Sequence, residues 1–515
     1  MSRIAAQSPL SDGAWHRLHP LTPLLRGGLF LIVVIGFVLA NLRDRLLQLA
    51  LPDSGPGENP QPDPVQFVLS HNLVLVAILA VLAVAAVLVA GFWLSWRFHA
   101  FRITGDDVEV RSGVAFRTQR RAPLDRVQGV NLTRPLFARL LGLAKLEVVG
   151  AGVDANVRLE YLATARAEAV RADILRLASG RALQPVPPDG SAPLPPDAIG
   201  VLERAVAGIL SGPEEPVEDL RSVVSIPPGR VVGSFLLRES TILTVVIGAG
   251  LLAWSLMVEP WLLLALIPGI IAMGAYLART IARTLRYAIA PTPHGVRIVF
   301  GLTTTVTEVL PPGRVHAVEV RQPLLWRGPG WWTVSVNRLS GRQGQDAARA
   351  FTAVLPVGTR TDAERVVALL LPDLDPEERE LIFARGLLAV GNDPFTTTPA
   401  RARVQRPVSW RRNGYSLGRT ALFLRRGRIW RSLAVVPLAR MQSIAVHQGP
   451  WDRMLDVAAI RAHTVAGTVF TGVGAIARAE ALSVFEQAEA RALLLAAADR
   501  SHRWAREPVA GGAAE

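Results

Sequence analysis

Long uncharged stretches of hydrophobic residues alternate along the chain with segments in which polar and hydrophobic residues interchange. Residues 27–42, 73–94, 241–258 and 261–278 contain no Asp, Glu, Lys or Arg. A helix needs about 20 apolar residues to cross a hydrocarbon core about 30 Å thick, because each residue rises about 1.5 Å. The pattern therefore predicts two pairs of spans, at about 24–46 and 71–95 and within 236–280.

Arginines flank one end of each predicted span, including Arg26, Arg97, Arg238 and Arg279. Basic residues next to a span favour the cytoplasmic side. This distribution predicts that both termini and both long polar regions are cytoplasmic. A cleaved signal peptide is the alternative interpretation of the first stretch.

The segment 113–148 between the predicted span pairs recurs twice in the chain, at offsets of 188 and 314 residues. The shared positions are Gly113, Pro123, Arg126 and Gly142; Gly301, Pro311, Arg314 and Gly330; and Gly427, Pro437 and Arg440. A further arginine recurs as Arg139, Arg327 and Arg453. A fixed order of Gly, Pro and Arg at two constant offsets indicates three copies of one structural unit.

Each copy has the pattern of a small antiparallel sheet closed by a helix. Apolar residues alternate before the repeated glycine, as Val108 and Val110 do, which is typical of a β-hairpin. Further strands are predicted after the proline. Helical spacing then predicts closing helices at 164–177, 361–371 and 475–495, with Thr164 and Thr361 as N-caps.

The motif G-x-x-x-R, P-L-x-R-V-Q and R-x-x-G-L, followed by a helix, resembles the bacterial pleckstrin-homology-like (PH-like) domain. The arrangement of domains and spans resembles YdbT-like membrane proteins. The second copy departs from the motif, since His316 stands where the others have glutamine. The resemblance implies a bacterial inner-membrane location and a small membrane protein with a single PH-like domain as partner.

The predicted fold class is a polytopic α-helical membrane protein with four spans in two hairpins and three α+β PH-like domains. Each domain is expected to be a small barrel, or a pair of orthogonal sheets, with a C-terminal helix. The expected segments are 1–96 with the first span pair, 97–180 as first domain, 181–235 as Pro-rich linker, 236–280 as second span pair, 283–372 as second domain, 373–403 as linker, 404–497 as third domain and 498–515 as tail.

The amino-acid composition excludes several kinds of site and partner. The 515 residues include no cysteine, which excludes disulfides, thiolate metal sites and a cysteine nucleophile. The net charge is +14 (56 basic minus 42 acidic), and Lys145 is the one lysine among the basic residues. No reader motif for nucleic acid accompanies these arginines, so no nucleic-acid partner is expected.

Three patterns that resemble catalytic or ligand-binding motifs favour structural interpretations. Gly472 and Gly474 resemble a dinucleotide fingerprint, but the chain's final helix follows and no further strand does. His16 and His19 lack a third ligand for a metal. The acidic run at 373–380 is typical of a solvated helix start. We therefore expect no enzyme activity, cofactor or metal.

Basic clusters remain as candidate contacts for lipid or an acidic partner. They are Arg117, Arg120 and Arg121 in the first copy, and Arg411, Arg412, Arg425, Arg426, Arg428 and Arg431 in the third, which is the favoured cluster. The expected function is a non-catalytic docking or assembly platform for membrane protein partners. Anionic lipid recognition is the alternative, a transporter is less favoured because the spans are uncharged, and homo-oligomerisation stays open.

Overall fold

A computed structural model of the chain consists mainly of antiparallel sheets joined by helices. It describes residues 8–20, 22, 96–113, 117–150, 156–178, 222–257, 262–292, 295–311, 313–338, 353–388 and 393–499, with a few further positions between 87 and 94. These residues form four antiparallel sheets of four, seven, seven and three strands.

The first unit contains two strand groups and a closing helix. Its strands are β2 (Ala100–Ile103), β3 (Asp107–Ser112), β4 (Thr118–Pro123), β5 (Val127–Arg134), β6 (Leu143–Gly150) and β7 (Val157–Ala163). The short β1 (His16–Arg17) pairs with β2, while α1 (Leu136–Leu140) lies between β5 and β6 and α2 (Thr164–Ala178) follows β7. Alternate residues such as Val108, Val110 and Leu146 form the core against Ile174 of α2.

Three helices and a short strand separate the first unit from the second. They are β8 (Val224–Ser225), α3 (Pro228–Leu236), α4 (Glu239–Met257) and α5 (Leu262–Thr284). The second unit then contains β9 (Ala288–Thr292), β10 (Gly295–Phe300), β11 (Thr305–Leu310), β12 (Ala317–Gln322), β13 (Trp332–Asn337), β14 (Ala353–Gly358) and α6 (Arg360–Leu370).

The third unit repeats the same order. After α7 (Pro376–Glu380) and the short β15 (Thr396–Thr397) it contains β16 (Gly414–Leu417), β17 (Ala421–Arg426), β18 (Arg431–Pro437), β19 (Ser443–His447), α8 (Pro450–Met454), β20 (Val457–His463), β21 (Gly472–Ala477) and α9 (Arg478–Ala498). In all three units, three strands, a short turn, three more strands and a helix follow one another.

The sheets run across the boundaries between units. Strand β11 of the second unit pairs antiparallel with β5 of the first, and β18 of the third pairs antiparallel with β12 of the second. The resulting seven-stranded sheets have the orders β7-β6-β5-β11-β10-β9-β8 and β14-β13-β12-β18-β17-β16-β15. Each sheet therefore contains the second half of one unit and the first half of the next.

Hydrophobic side chains cross the second boundary together with the backbone pairing. Phe423, Leu433 and Val435 of the third unit are buried in the core of the second unit. The alternate residues Leu422 and Ala434 lie in the third unit's own core, because successive side chains of a strand point to opposite faces. Burying each large side chain contributes about 1.5–3 kcal/mol, so the second and third units stabilise each other.

The predicted polytopic four-span fold class is wrong. In the part of the chain that the structure describes, one helix, α4, is long and apolar enough to cross a membrane. The third predicted span coincides with α4, and the fourth overlaps α5 from Leu262 onward. The span at 24–46 and most of the span at 71–95 lie outside the described residues. Lack of charge over 16–22 residues is necessary for a span, but it does not by itself establish one.

The expectation of a small barrel or a pair of orthogonal sheets in each unit did not include pairing between units, whereas β11 and β18 each pair with a strand of the preceding unit. Two details differ as well. The N-cap of α6 is Thr359, whose hydroxyl accepts from the Asp362 N–H in a capping box, and not Thr361. Gly472 and Gly474 lie within β21, so the apparent dinucleotide fingerprint is part of a strand and not a phosphate-binding turn.

The repeated hairpin glycine is required by the backbone. Gly113, Gly301 and Gly427 have φ of 109°, 102° and 70°, a region that side chains with a Cβ rarely adopt. A Cβ at Gly301 would lie 2.0 Å from the Thr304 carbonyl oxygen. Gly328 has an ordinary φ, and a Cβ there would meet nothing within 4 Å.

Gly301→Ala is therefore expected to lower the free energy of unfolding by about 1–3 kcal/mol, because strain at such a backbone position is of that size. The matched control Gly328→Ala changes it by less than about 0.5 kcal/mol. Denaturant unfolding of both full-length variants measures the difference. Equal stability of the two variants would contradict the hairpin geometry.

Candidate functional site

Helix α4 presents a nearly continuous apolar surface. Only 6% of its most apolar 18-residue window is buried, and side chains such as Val245, Val246 and Leu256 are more than 60% exposed. The following helix α5 exposes Ile270 and Ile271 in the same way. Apolar patches of this kind are rare on proteins surrounded by water alone, so the pair is a candidate membrane contact.

The hairpin tips of the second and third units lie at the base of this helix pair. The Trp430 indole N–H of the third unit donates to Glu239 Oε1 at the start of α4, at 3.0 Å. In the second unit, the Leu302 N–H donates to the Ala282 carbonyl of α5 at 2.9 Å. The Gly301 N–H donates to the Leu285 carbonyl, just after α5, at 2.8 Å.

We call the exposed residues at this position the basal surface, namely Leu236, Arg286, Leu302, Arg428, Ile429 and Trp430. It combines large apolar side chains with two arginines. Tryptophan and arginine are the residue types that favour the boundary between hydrocarbon and water. The basal surface therefore has the composition of a membrane-interface contact.

The repeated arginine of the R-x-x-G-L motif joins each unit to the hairpin tip of the next. Arg139 donates to the Leu302 carbonyl at 3.4 Å and to Thr305 Oγ1 at 3.5 Å. Arg327 donates to the carbonyls of Arg428 and Ile429. Burial, followed by the nearby Arg286, lowers the pKa of Arg139. The same contact thus recurs at both boundaries.

The structure separates the predicted lipid-contact cluster of the third unit into buried and exposed members. Arg425 is completely buried, with bonds of 2.6 and 3.0 Å to the Asp393 carboxylate. Arg426 is paired with Glu319 of the second unit at 2.8 Å. Both therefore have structural partners and do not form a free cationic face.

Of the remaining members, Arg412 donates to the Leu387 carbonyl at 2.8 Å, and burial lowers its pKa to about 10. Arg431 is half-buried, while Arg411 and Arg428 are exposed. Only Arg428 of this cluster belongs to the basal surface. Sequence reasoning missed Trp430, Ile429 and Arg286 as its companions, although exposed aromatic and apolar residues at a hairpin tip are a recognisable signal.

The repeat-motif residues mark turns. The repeated proline stands at the end of the third strand of each unit: β4 ends at Pro123, β18 ends at Pro437, and β11 is followed by Pro311. The repeated arginine comes three residues later. It ends a short helical turn as Arg126 and Arg440, and its counterpart in the second unit is Arg314. Gly142 and Gly330 have φ of 69° and 70° before β6 and β13, and Asp456 takes the same left-handed conformation in the third unit, at 46°. These positions set the path of the chain.

The other residues singled out in the sequence have local partners. His16 lies 2.7 Å from Asp12 Oδ1, and burial lowers the pKa of His19. Glu378, expected in a solvated helix start, is instead buried and accepts from the Thr420 N–H at 2.9 Å. Within the described ranges, no three His, Asp or Glu side chains form a group that could hold a metal ion.

Comparison with known families gives a match for two of the three units. The model of the bacterial PH domain family matches residues 47–178 and 383–507, which contain the described strands of the first and third units. PH-like domains are therefore present in the chain, and the predicted repeat is confirmed for these two regions. The second unit lies outside both matched ranges but has the same strand order. No curated protein matches the chain.

Removal of the Asp393 carboxylate would leave the buried guanidinium of Arg425 without its ion-pair partner. Asp393→Ala is expected to lower the free energy of unfolding by about 3–5 kcal/mol, the usual cost of removing one partner of a buried pair. Arg428→Ala, which removes an exposed guanidinium close by, changes it by less than about 0.5 kcal/mol. Denaturant unfolding measures both. A small effect of Asp393→Ala would show that Arg425 finds another partner.

His316, which precedes β12 at the second boundary, makes the free energy of unfolding depend on pH. Burial is the main cause of its lowered pKa; a hydrogen bond with the Arg440 backbone opposes this shift, and the charges of Arg440 and Arg314 add to it. The unfolded chain binds the proton more tightly, so stability is lost as pH falls below about 6.5. We expect His316→Gln, which restores the residue of the other two units, to reduce the loss of stability between pH 8 and pH 5. An unchanged pH profile of unfolding would contradict this.

Proposed function

We propose that this protein is a non-catalytic platform that holds PH-like domains side by side against the cytoplasmic face of a bacterial membrane, where they dock membrane protein partners. The observation that carries the proposal is the position of two hairpin tips at the base of the helix pair, one against the exposed apolar helix α4 and the other against α5. If α4 enters the bilayer, the basal surface lies at the headgroups and the remaining surface of the units faces the cytoplasm.

The dimensions of α4 support this placement. Its 19 residues correspond to about 28 Å at about 1.5 Å per residue, close to the thickness of a hydrocarbon core. Glu239, at the start of α4, has a partner in the Trp430 indole. Apart from Ser240 and Thr244, the side chains that are exposed along α4 are apolar, so a bilayer would stabilise them and water would not.

Continuous sheets support a docking role. Because β11 and β18 are hydrogen-bonded to the preceding units, the three units have fixed relative positions. Such an array presents several surfaces at fixed spacing, which favours binding of a partner with more than one contact site. The small membrane protein with a single PH-like domain, implied by the resemblance, is a proposed partner of this kind.

Anionic lipid recognition is the second candidate, and the basal arginines favour it. Arg286 and Arg428 are both exposed on the basal surface, and each cation near an anionic leaflet contributes about 1 kcal/mol. In this function the lipid headgroup would be the ligand of the platform and not only its support.

The membrane placement is tested by fractionation of cells that produce the full-length chain. The protein is expected in the membrane fraction and to resist extraction with alkaline carbonate. Val245→Asp combined with Val246→Asp is expected to release it, because each charge at the centre of a span costs about 2.5–3.5 kcal/mol. The control Ser483→Asp, on an exposed position of α9, stays in the membrane. Unmodified protein in the soluble fraction would contradict the proposal.

Purification in mild detergent then distinguishes the two candidates. A stoichiometric protein partner supports docking, whereas enrichment of anionic lipid without such a partner supports lipid recognition. For the second case, Arg286→Glu with Arg428→Glu is expected to reduce the retained anionic lipid severalfold, and Arg411→Glu, an exposed arginine outside the basal surface, is expected to leave it unchanged. Retention of neither protein nor anionic lipid would argue against both functions.

A further inference from the structure

The two boundaries between units use equivalent strands in the same register. At the first, Glu308 of β11 lies opposite Asn131 of β5, and at the second Ala434 of β18 lies opposite Glu319 of β12. When the repeat offsets are subtracted, both pairs correspond to the same two positions of the first unit, 120 and 131. Glu308 and Ala434 correspond to position 120 (308 − 188 and 434 − 314), and Glu319 corresponds to position 131 (319 − 188).

The first and third units each contain one of the two strands that a third boundary of this kind would need. Strand β4 is the counterpart of β11 and β18, and β19 is the counterpart of β5 and β12. In the part of the chain that the structure describes, β4 pairs with β3 alone and β19 pairs with β20 alone. Residues 118–121 of β4 are exposed, whereas every residue of β11 is buried. Free strand edges of this kind are templates for pairing.

Arg453 is a second, independent feature of the unused boundary. It occupies the position of Arg139 and Arg327, both of which donate to the hairpin of the following unit. The described residues contain no unit after the third, yet Arg453 is exposed and has no side-chain partner among them. The third unit thus presents both the strand edge and the arginine that a following unit would contact.

We propose that the first unit of a second copy of this chain occupies this position, so that copies associate head to tail. Strand β19 of one copy pairs antiparallel with β4 of the next. In the register of the two internal boundaries, Ala445 lies opposite Arg120 (445 − 314 = 131) and Ile444 lies opposite Arg121. Arg453 then contacts the hairpin that turns at Gly113. A head-to-tail contact of this type produces a ring or a filament.

The distribution of charge favours this pairing over pairing of two β4 edges. Strand β4 carries Arg120 and Arg121, and like charges on directly opposite strands are destabilising. Strand β19 has the sequence SIAVH and no Asp, Glu, Lys or Arg, so no like-charged side chain opposes the arginines there. Arg121 is in addition paired with Asp107 and Glu109 of its own unit.

The inference does not depend on the proposed function, since it rests on the strand register, the unpaired strand edges and the position of Arg453. The chain has no cysteine, which allows a disulfide test on the full-length protein in cells. One tagged copy carries Ala445→Cys and a second, differently tagged copy carries Arg120→Cys. Directly opposite residues of antiparallel strands have Cα atoms about 4.5–5.5 Å apart, within the range that a disulfide bridges.

Mild oxidation is expected to link the two copies into a dimer that carries both tags. The matched control pairs Ala445→Cys with Gln119→Cys, whose side chain points to the opposite face of β4, and is expected to give at least tenfold less dimer. Arg453→Ala is expected to reduce the Ala445–Arg120 dimer severalfold. Unfolding curves of each variant confirm that it folds.

Three results would overturn the proposal. The absence of a mixed dimer in variants that fold would show that the two edges do not meet. Equal yields for Arg120→Cys and Gln119→Cys would indicate random collision without a defined register. A disulfide between Ala445→Cys and a different protein would assign the β19 edge to another partner.

Discussion

Main-chain hydrogen bonding between the strand edges of successive units is the constraint on which the rest of the structure depends. The first strand group of each later unit completes the sheet of the unit before it, through β5 with β11 and through β12 with β18. Because a strand has two faces, β17 and β18 supply Phe423, Leu433 and Val435 to the preceding core and Leu422 and Ala434 to their own. Separation of these units would expose backbone donors and hydrophobic side chains together, so folding of neighbouring units is coupled.

The same boundaries determine what the surface can do. The repeated arginine and glycine act together, since Arg327 binds the carbonyls of a hairpin whose path requires Gly427. The hairpin tips of the second and third units are thereby held at one end of the helix pair, where Trp430 contacts Glu239. The basal surface built in this way belongs to the array and not to any single unit, which explains why no isolated binding motif marks it in the sequence.

The repeat, its strand order and its closing helices were predictable because alternating hydrophobicity and turn glycines are local properties. The pairing of β11 and β18 with another unit was not, since a free edge and a paired edge have the same local pattern. For the same reason the sequence did not distinguish Arg425, buried against Asp393, from the exposed Arg428 three positions later. The four-span fold was wrong because lack of charge does not by itself identify a span, and among the described residues one helix, α4, is long and apolar enough to cross a membrane.

The most direct test of the account is the depth of the third-unit hairpin tip in a bilayer. A spin label attached through Ile429→Cys, in the otherwise cysteine-free full-length chain, reports its depth by collision with oxygen and with a water-soluble nickel reagent. The account predicts a position at the headgroup level in vesicles that contain anionic lipid. A label fully accessible to the nickel reagent, as in bulk water, would contradict the central claim that the array of PH-like units is held against a membrane by its basal surface.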